Sequence, residues 1–423
     1  MNATLRPLAL SERGFVGPYP TTVAFELTLR GDLDLAALSD ALTALRGTHP
    51  ALDAAVVADG EDFAFVVPAE ATGAALTVDR VDTLPEIAVP PLVDPGVALG
   101  RLHVVTAGDR HRVSLAINHA LGDGTYLFTL FSQLFAHYTA LVRTGGLDAA
   151  RPQEFPSSAQ EVLREVATVA DTGRERLDGI RWYGAAPTLD ADGAPAAPRL
   201  PEVASLRFSE DVTAGFAAAA SGVGMNALLS GVLLCAERVG FLDADPAESI
   251  RIGAMTLADM RRRIQPALAA TAVTNFVGAS FAAPELTALA DPIAVGAAIA
   301  DTVRADVAAG RSLAVLAAPA PPGPAEPPVV LSNLGALALD LPDTVEAEHL
   351  RPLMSMDSAG LHGHAGQRRP SPSATIFQAS TFQGRLGIEA ITLGGTASPA
   401  ARSAVADRIA ALVHAAARLA PAA

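Results

Sequence analysis

From Ala214 to Ala236 the chain runs for 23 residues without a formal charge. A run of that length can do only two things: cross a bilayer as one helix, or disappear into a protein core. Its middle decides between them. Ser221, Gly222, Gly224 and Asn226 interrupt it, and its first half is mostly alanine, so the expectation is two buried helices joined at residues 222–226 rather than a membrane span. The rest of the 423 residues fits a large core, since half are apolar and 18% are charged, with a mean hydropathy of +0.32, which excludes wholesale disorder. Two or three domains, or one pseudo-repeated pair, are expected from the length.

The charge excludes a class of partner. Thirty basic residues face 45 acidic ones for a net −15, and every basic residue is arginine. Nucleic acid is therefore not an expected partner. The single cysteine, Cys235, allows no disulfide and no thiolate metal site, and in its apolar helix it reads as core packing. Met1–Phe15 lacks the basic-then-apolar run of a secretion signal, and a cytoplasmic protein is expected.

Composition divides the chain. Around residues 184–204 it shifts to Ala, Pro, Gly and Asp with no usable period, so this segment is read as a linker between an N-terminal lobe, 1–183, and a C-terminal lobe, 205–423. In the first lobe Thr22–Leu29 alternates as a strand, and Asp34 caps a helix bearing Leu35, Leu38, Leu42 and Leu45. Arg112–Ile117 is a second strand, followed by a helix over about Tyr126–Arg143. In the second lobe Ala204–Phe208, Ile252–Leu257, Pro327–Leu331 and Leu386–Leu393 read as strands, Asp301–Val307 lies in a helix, and Ala317–Pro328 is a loop. Ser398 caps a closing helix, Pro399–Leu419. The class is α+β.

The chemistry concentrates at Ile117-Asn118-His119-Ala120-Leu121-Gly122-Asp123-Gly124, where a strand ends and a helix begins. Histidine can accept a proton from a hydroxyl or amine near neutral pH. Asp123 can fix local geometry through backbone or an arginine, and Gly124 permits a tight path into the helix. A structural histidine beside a capping Asp-Gly turn fits these residues equally well. Other schemes lack their signatures: there is no G-x-S-x-G elbow, no Walker loop and no helical zinc-type histidine pair. Gly222-Val223-Gly224 reads as a turn, and no metal site is expected. His362 and His364 read as loop residues without a third ligand, and His49 as a cap or core histidine before Pro50.

The same segment resembles the HxxxDG motif of the thioester-dependent acyltransferases that include chloramphenicol acetyltransferase and nonribosomal peptide condensation domains. The resemblance is collinear over nearly the whole chain. It takes in Leu8–Glu12, Gly31-Asp32-Leu33-Asp34 through Thr48-His49-Pro50-Ala51-Leu52, Asp259-Met260-Arg261, Thr274-Asn275-Phe276-Val277-Gly278-Ala279, Arg304-Ala305-Asp306-Val307 and Pro327-Pro328-Val329-Val330-Leu331. The family most resembled is the phthiocerol/phthiodiolone dimycocerosyl transferases, polyketide-associated acyltransferases. This implies two chloramphenicol-acetyltransferase-like lobes, with mixed sheets flanked by helices and a tunnel between them.

Carried over by position, the resemblance implies His119 as general base, Asp123 orienting the loop through an ion pair with Arg261, and Gly124 permitting the turn. Arg262 and Arg263 read as solvated. Asn118 stands where many relatives have the first of two adjacent histidines. Asn118, Ser332 and Asn333 are candidates to meet an oxyanion or substrate, although Ser332-Asn333 also reads as a polar strand-end turn. The implied reaction is direct acyl transfer from acyl-CoA or an acyl carrier protein to a hydroxyl of a polyketide or other natural product. The thioester is a co-substrate, and no bound cofactor is required. An amide-forming condensation enzyme and a catalytically silent binding protein are the alternatives. A monomer is expected, and an acidic carrier protein or a coenzyme A phosphate would need an arginine patch, for which Arg181, Arg199 and Arg311 are candidates.

Overall fold

The computed structural model describes residues 3–16, 20–60, 62–69, 76–85, 92–149, 151–164, 166, 171–181, 202–317, 329–356, 374–393 and 398–419. Most of the expected 184–204 linker, together with Arg199, His362 and His364, lies outside them. The chain forms two compact units that interleave along the sequence. The first comprises Met1–Ala167, Asp259–Phe276 and Ala338–Gly366, and the second Thr168–Ala258, Val277–Leu337 and Gln367–Ala423. Two segments from beyond the linker thus complete the first unit, one of which carries Arg261.

The first unit is built on a five-stranded sheet in the order Val345–Met356, Thr21–Gly31, Arg110–Asn118, Gly100–Ala107, Leu76–Arg80. Its pairs are antiparallel except the last, which is parallel. Alternation along Thr21–Gly31 turns Phe25 toward the Gly124–Thr144 helix, where it meets Phe131 and Phe128. That helix buries Leu127, Leu130, Phe131, Leu134 and Phe135 at helical spacing, which fixes its apolar stripe on the sheet. Asp34 caps the Leu35–Thr48 helix as expected, accepting bonds from the amides of Ala36 and Ala37. Ala3–Pro7, Asp62–Val67 and Ala55–Asp59 form a separate three-stranded sheet.

The second unit carries a six-stranded mixed sheet in the order Val277–Ala282, Ala254–Asp259, Val329–Leu337, Ala374–Phe382, Arg385–Leu393, Glu202–Arg207. Its central pairs are parallel, whereas the last two pairs are antiparallel. The uncharged run becomes two helices, Glu210–Ala219 and Met225–Glu237, bent by 104° at the break. Among the described residues no single helix is long and apolar enough to cross a membrane.

Two glycines explain how the second of these helices packs. A Cβ on Gly231 would lie 1.8 Å from the Pro292 carbonyl oxygen, and one on Gly296 would lie 2.0 Å from that of Ala227. The Met225–Glu237 and Pro292–Ala308 helices therefore meet backbone to backbone. Within the run it is Gly231 that this close approach requires. The Pro399–Leu419 helix begins where expected, with Ser398 Oγ accepting from the Ala401 amide.

Candidate active site

Strand Arg110–Asn118 ends one residue before His119, and the chain makes a short turn before the Gly124–Thr144 helix. The turn is held from several sides. The His119 amide donates to the Thr21 carbonyl at 2.8 Å, and the Leu121 amide to the Asn118 carbonyl at 2.9 Å. Asn118 is wholly buried. Its Oδ1 accepts from the Ala120 amide at 3.0 Å, and its Nδ2 donates to the Phe15 carbonyl at 3.1 Å. The residue that replaces a histidine in the resembled motif thus ties the turn to the N-terminal segment.

His119 is half-buried. One face of its imidazole stacks on Phe15, with centroids 4.1 Å apart and planes 8° apart. Its Nδ1 lies 3.5 Å from Asn275 Nδ2, and a primary amide can serve either tautomer of the ring by presenting its nitrogen or its oxygen.

Asp123 has a different job. Its Oδ1 accepts the Tyr126 amide at 3.1 Å, which makes it the N-cap of the helix, and its Oδ2 accepts the Phe276 amide at 2.9 Å and Arg261 Nη1 at 2.8 Å. Arg261 is itself buried and fully engaged on its fork. Nη1 also reaches Asp259 Oδ1 at 3.0 Å, and Nη2 donates to the carbonyls of Val273 at 3.2 Å and Thr274 at 3.0 Å. Desolvation pulls the guanidinium pKa down, but the charges and hydrogen bonds of Asp123 and Asp259 outweigh it and hold the pKa above its ordinary value. Beside this pair the Tyr126 phenol is pushed up, mainly by burial.

Gly124 opens the helix but is not among the residues with left-handed backbone, so the conformational freedom expected of it is not what the turn uses. The demanding glycine is Gly122. A Cβ there would meet the Tyr126 ring at 2.4 Å.

Sequence reasoning passed over four contributors: Phe15, Gly122, Asp259 as a second carboxylate on Arg261, and Asn275 against the imidazole. Only Asp259 carried a usable signal, its position two residues from Arg261. A further brace comes from Glu12, fully buried, which takes both Arg6 guanidinium nitrogens at 2.8 and 2.7 Å, the Ala9 amide at 2.8 Å and the Thr274 hydroxyl at 2.6 Å.

Ser332 and Asn333 belong to the second unit. There they line a cleft with Asn226, Ser230 and Thr256. Asn333 Nδ2 donates to Asn226 Oδ1 at 2.6 Å, while its own Oδ1 accepts the Gly335 amide at 2.9 Å, as a strand-end turn would require. Two of the arginines considered for an anion patch are held by carboxylates. Arg181 pairs with Asp243 and Glu248, and Arg311 with Asp171 and Asp306. Arg262 and Arg263 are exposed. His49 is buried at the end of the Leu35–Thr48 helix and bonds Gln133 at 2.6 Å, which makes it structural. Among the described residues no group of three or more His, Cys, Asp or Glu is placed to hold a metal ion.

The chain has matches among known proteins. Residues 197–391 match the family model described as the phthiocerol/phthiodiolone dimycocerosyl transferase C-terminus. The chain is similar to the phthiocerol/phthiodiolone dimycocerosyl transferases. It is 27% identical over 324 residues to the enzyme of that name from Mycobacterium bovis (strain BCG / Pasteur 1173P2), covering 73% of this chain and 74% of that one. The Mycobacterium ulcerans (strain Agy99) enzyme is 28% identical over 316 residues, covering 73% and 74%.

Solved structures agree on the fold. Polyketide synthase associated protein 5 from Mycobacterium tuberculosis superimposes with a TM-score of 0.76 at 23% identity, covering 98% of this chain and 99% of that one. The trichothecene 15-O-acetyltransferase from Fusarium sporotrichioides gives 0.68 at 12% identity, covering 98% and 95%. The condensation domain of the Monacolin K polyketide synthase gives 0.61 at 14%, covering 99% of each. The fold is shared with these structures: α+β, with mixed sheets flanked by helices.

Proposed function

We propose that this chain is an acyltransferase that moves an acyl group from a thioester, carried by coenzyme A or an acyl carrier protein, to a hydroxyl of a polyketide or other natural product. The observation that carries the reading is the division of labour at the turn. Both Asp123 oxygens are consumed by the backbone and by Arg261, so the aspartate positions the loop, while His119 beside it is half-buried rather than sealed in. The relatives' name supports acyl transfer in particular.

In this reading His119 takes the proton of the acceptor hydroxyl as its oxygen attacks the thioester carbonyl. The tetrahedral oxyanion then collapses, the carbon–sulfur bond breaks, and the imidazolium returns its proton to the departing thiolate. No acyl-enzyme forms. Arg261 acts at a distance, by holding Asp123 and with it the start of the helix.

The experiment is incubation with a panel of acyl-CoAs and acylated carrier proteins in the presence of candidate alcohols, following thiol release and identifying the product by mass. An ester formed with stoichiometric thiol supports the proposal. An amide product would reassign the acceptor, and absence of thiol release across the panel from both donor types would reject acyl transfer from these thioesters.

A further inference from the structure

The stack of His119 on Phe15 is built rather than incidental. The Phe15 carbonyl is gripped by two donors, Asn118 Nδ2 at 3.1 Å and the Thr21 amide at 3.0 Å, and the Thr21 carbonyl in turn receives the His119 amide at 2.8 Å. The Phe15 amide donates to the Glu12 carbonyl at 3.0 Å, and the Glu12 carboxylate is bolted to Arg6 and Thr274. Thr274 precedes Asn275, whose Nδ2 lies 3.5 Å from the imidazole Nδ1. The backbone of Phe15 is therefore fixed beside the turn that carries His119. Two neutral aromatic rings do not require a near-parallel arrangement at 8°, since edge-to-face contact serves them as well. A cationic imidazolium over the negative face of a phenyl ring is attracted by that arrangement.

We infer that Phe15 is a positioning residue for His119: its ring fixes the plane of the imidazole, and its face stabilises the imidazolium created when His119 takes the acceptor's proton. The inference rests on His119 being the base, and it deepens that reading by naming the group that favours the protonated ring. The nearby charges are Asp123 and Arg261, paired with each other, Asp259 on the same guanidinium, and Arg6 with Glu12. All are unchanged when only the ring at position 15 is altered, so a difference between variants isolates the stack.

The test compares the full-length protein with Phe15→Leu and Phe15→Tyr, reading turnover and, separately, titrating the imidazole by NMR with the His119 signal assigned through His119→Gln. Phe15→Leu is expected to lower kcat about 3- to 10-fold with KM nearly unchanged, and to lower the imidazole pKa by about half a unit, with Phe15→Tyr restoring both. The titration needs no substrate, so it reads the stack even if acyl transfer is absent. If Phe15→Leu does not fold, pentafluorophenylalanine at position 15 keeps the shape, reverses the polarity of the ring face and should lower both quantities. An imidazole titration and kcat that are the same with a phenyl, a leucine or a fluorinated ring would overturn the inference.

Discussion

Asp123 and Arg261, 138 residues apart in sequence, meet at 2.8 Å with both side chains only 2% exposed. Burying two charges is costly, and such a pair survives only when its remaining hydrogen-bond capacity is met. Here two backbone amides meet it on the aspartate, and Asp259 and two carbonyls meet it on the two terminal nitrogens of the arginine, while the buried Arg261 Nε has no hydrogen-bond partner among the described residues.

Arg261→Ala strands the Asp123 carboxylate and should cost about 3–5 kcal/mol in stability together with a loss of activity. Arg261→Lys keeps the charge but cannot reproduce the fork to Asp123, Asp259 and two carbonyls, so an intermediate loss is expected. Chemical denaturation and turnover measured on the same samples check both. A melting curve and turnover unchanged in Arg261→Ala would remove the pairing from the account.

Gly122→Ala forces a Cβ into the Tyr126 ring, which is buried and cannot swing out to solvent. The turn that carries His119 must then shift. Turnover should fall by about tenfold or more, since small misplacements of a reacting group are expensive. Gly124→Ala, at the ordinary first position of the helix, should cost much less. Equal losses in the two variants would contradict the assignment of the steric demand to Gly122.

Much of this arrangement was legible in the sequence, and the reasons differ by element. The strand ending at Asn118 and the helix after Asp123 follow from period-two and period-3.6 patterns around an Asp-Gly pair. The helix break follows from glycine and serine in an otherwise uncharged run, although the second helix begins at Met225, so Asn226 lies inside it and not in the joint expected at residues 222–226. Position-by-position resemblance supplied Arg261. What could not be read was anything set by chain segments distant in sequence that lacked a charge to advertise them. Phe15 looks like any apolar residue, and Gly122 is demanding only because Tyr126 folds back over it. The interleaving of the two units has the same origin, because nothing local marks Asp259–Phe276 or Ala338–Gly366 as belonging with the N-terminal segment.

Gly231→Ala tests the helix crossing. With the Pro292 carbonyl 1.8 Å from the new Cβ, the helices must part, and a loss in the upper part of the roughly 1–3 kcal/mol typical of overpacking is expected. The denaturation midpoint reads it. A midpoint equal to that of the parent would mean that the two backbones are not in contact.

Acid stability carries a histidine signature. Burial holds the His49 imidazole below its ordinary value of 6.5, the Gln133 bond opposes it, and the neighbouring His137 charge adds to the lowering; burial lowers His137 as well. With folded-state values depressed, both rings bind fewer protons folded than unfolded. Their stabilisation is therefore complete above about pH 6.5 and drains as the pH falls from there through the folded values. The thermal midpoint should decline between about pH 6.5 and 5, and less steeply in His49→Gln combined with His137→Gln. Parallel declines in the two proteins would assign the effect elsewhere.

The most direct measurement is single-turnover thiol release by the parent and by His119→Ala, on protein whose folding is matched by circular dichroism and melting temperature. With His119 as the base, the variant should keep its fold and lose about 10²- to 10⁴-fold in rate. A folded His119→Ala protein that releases thiol and forms ester at the parental rate would contradict the account.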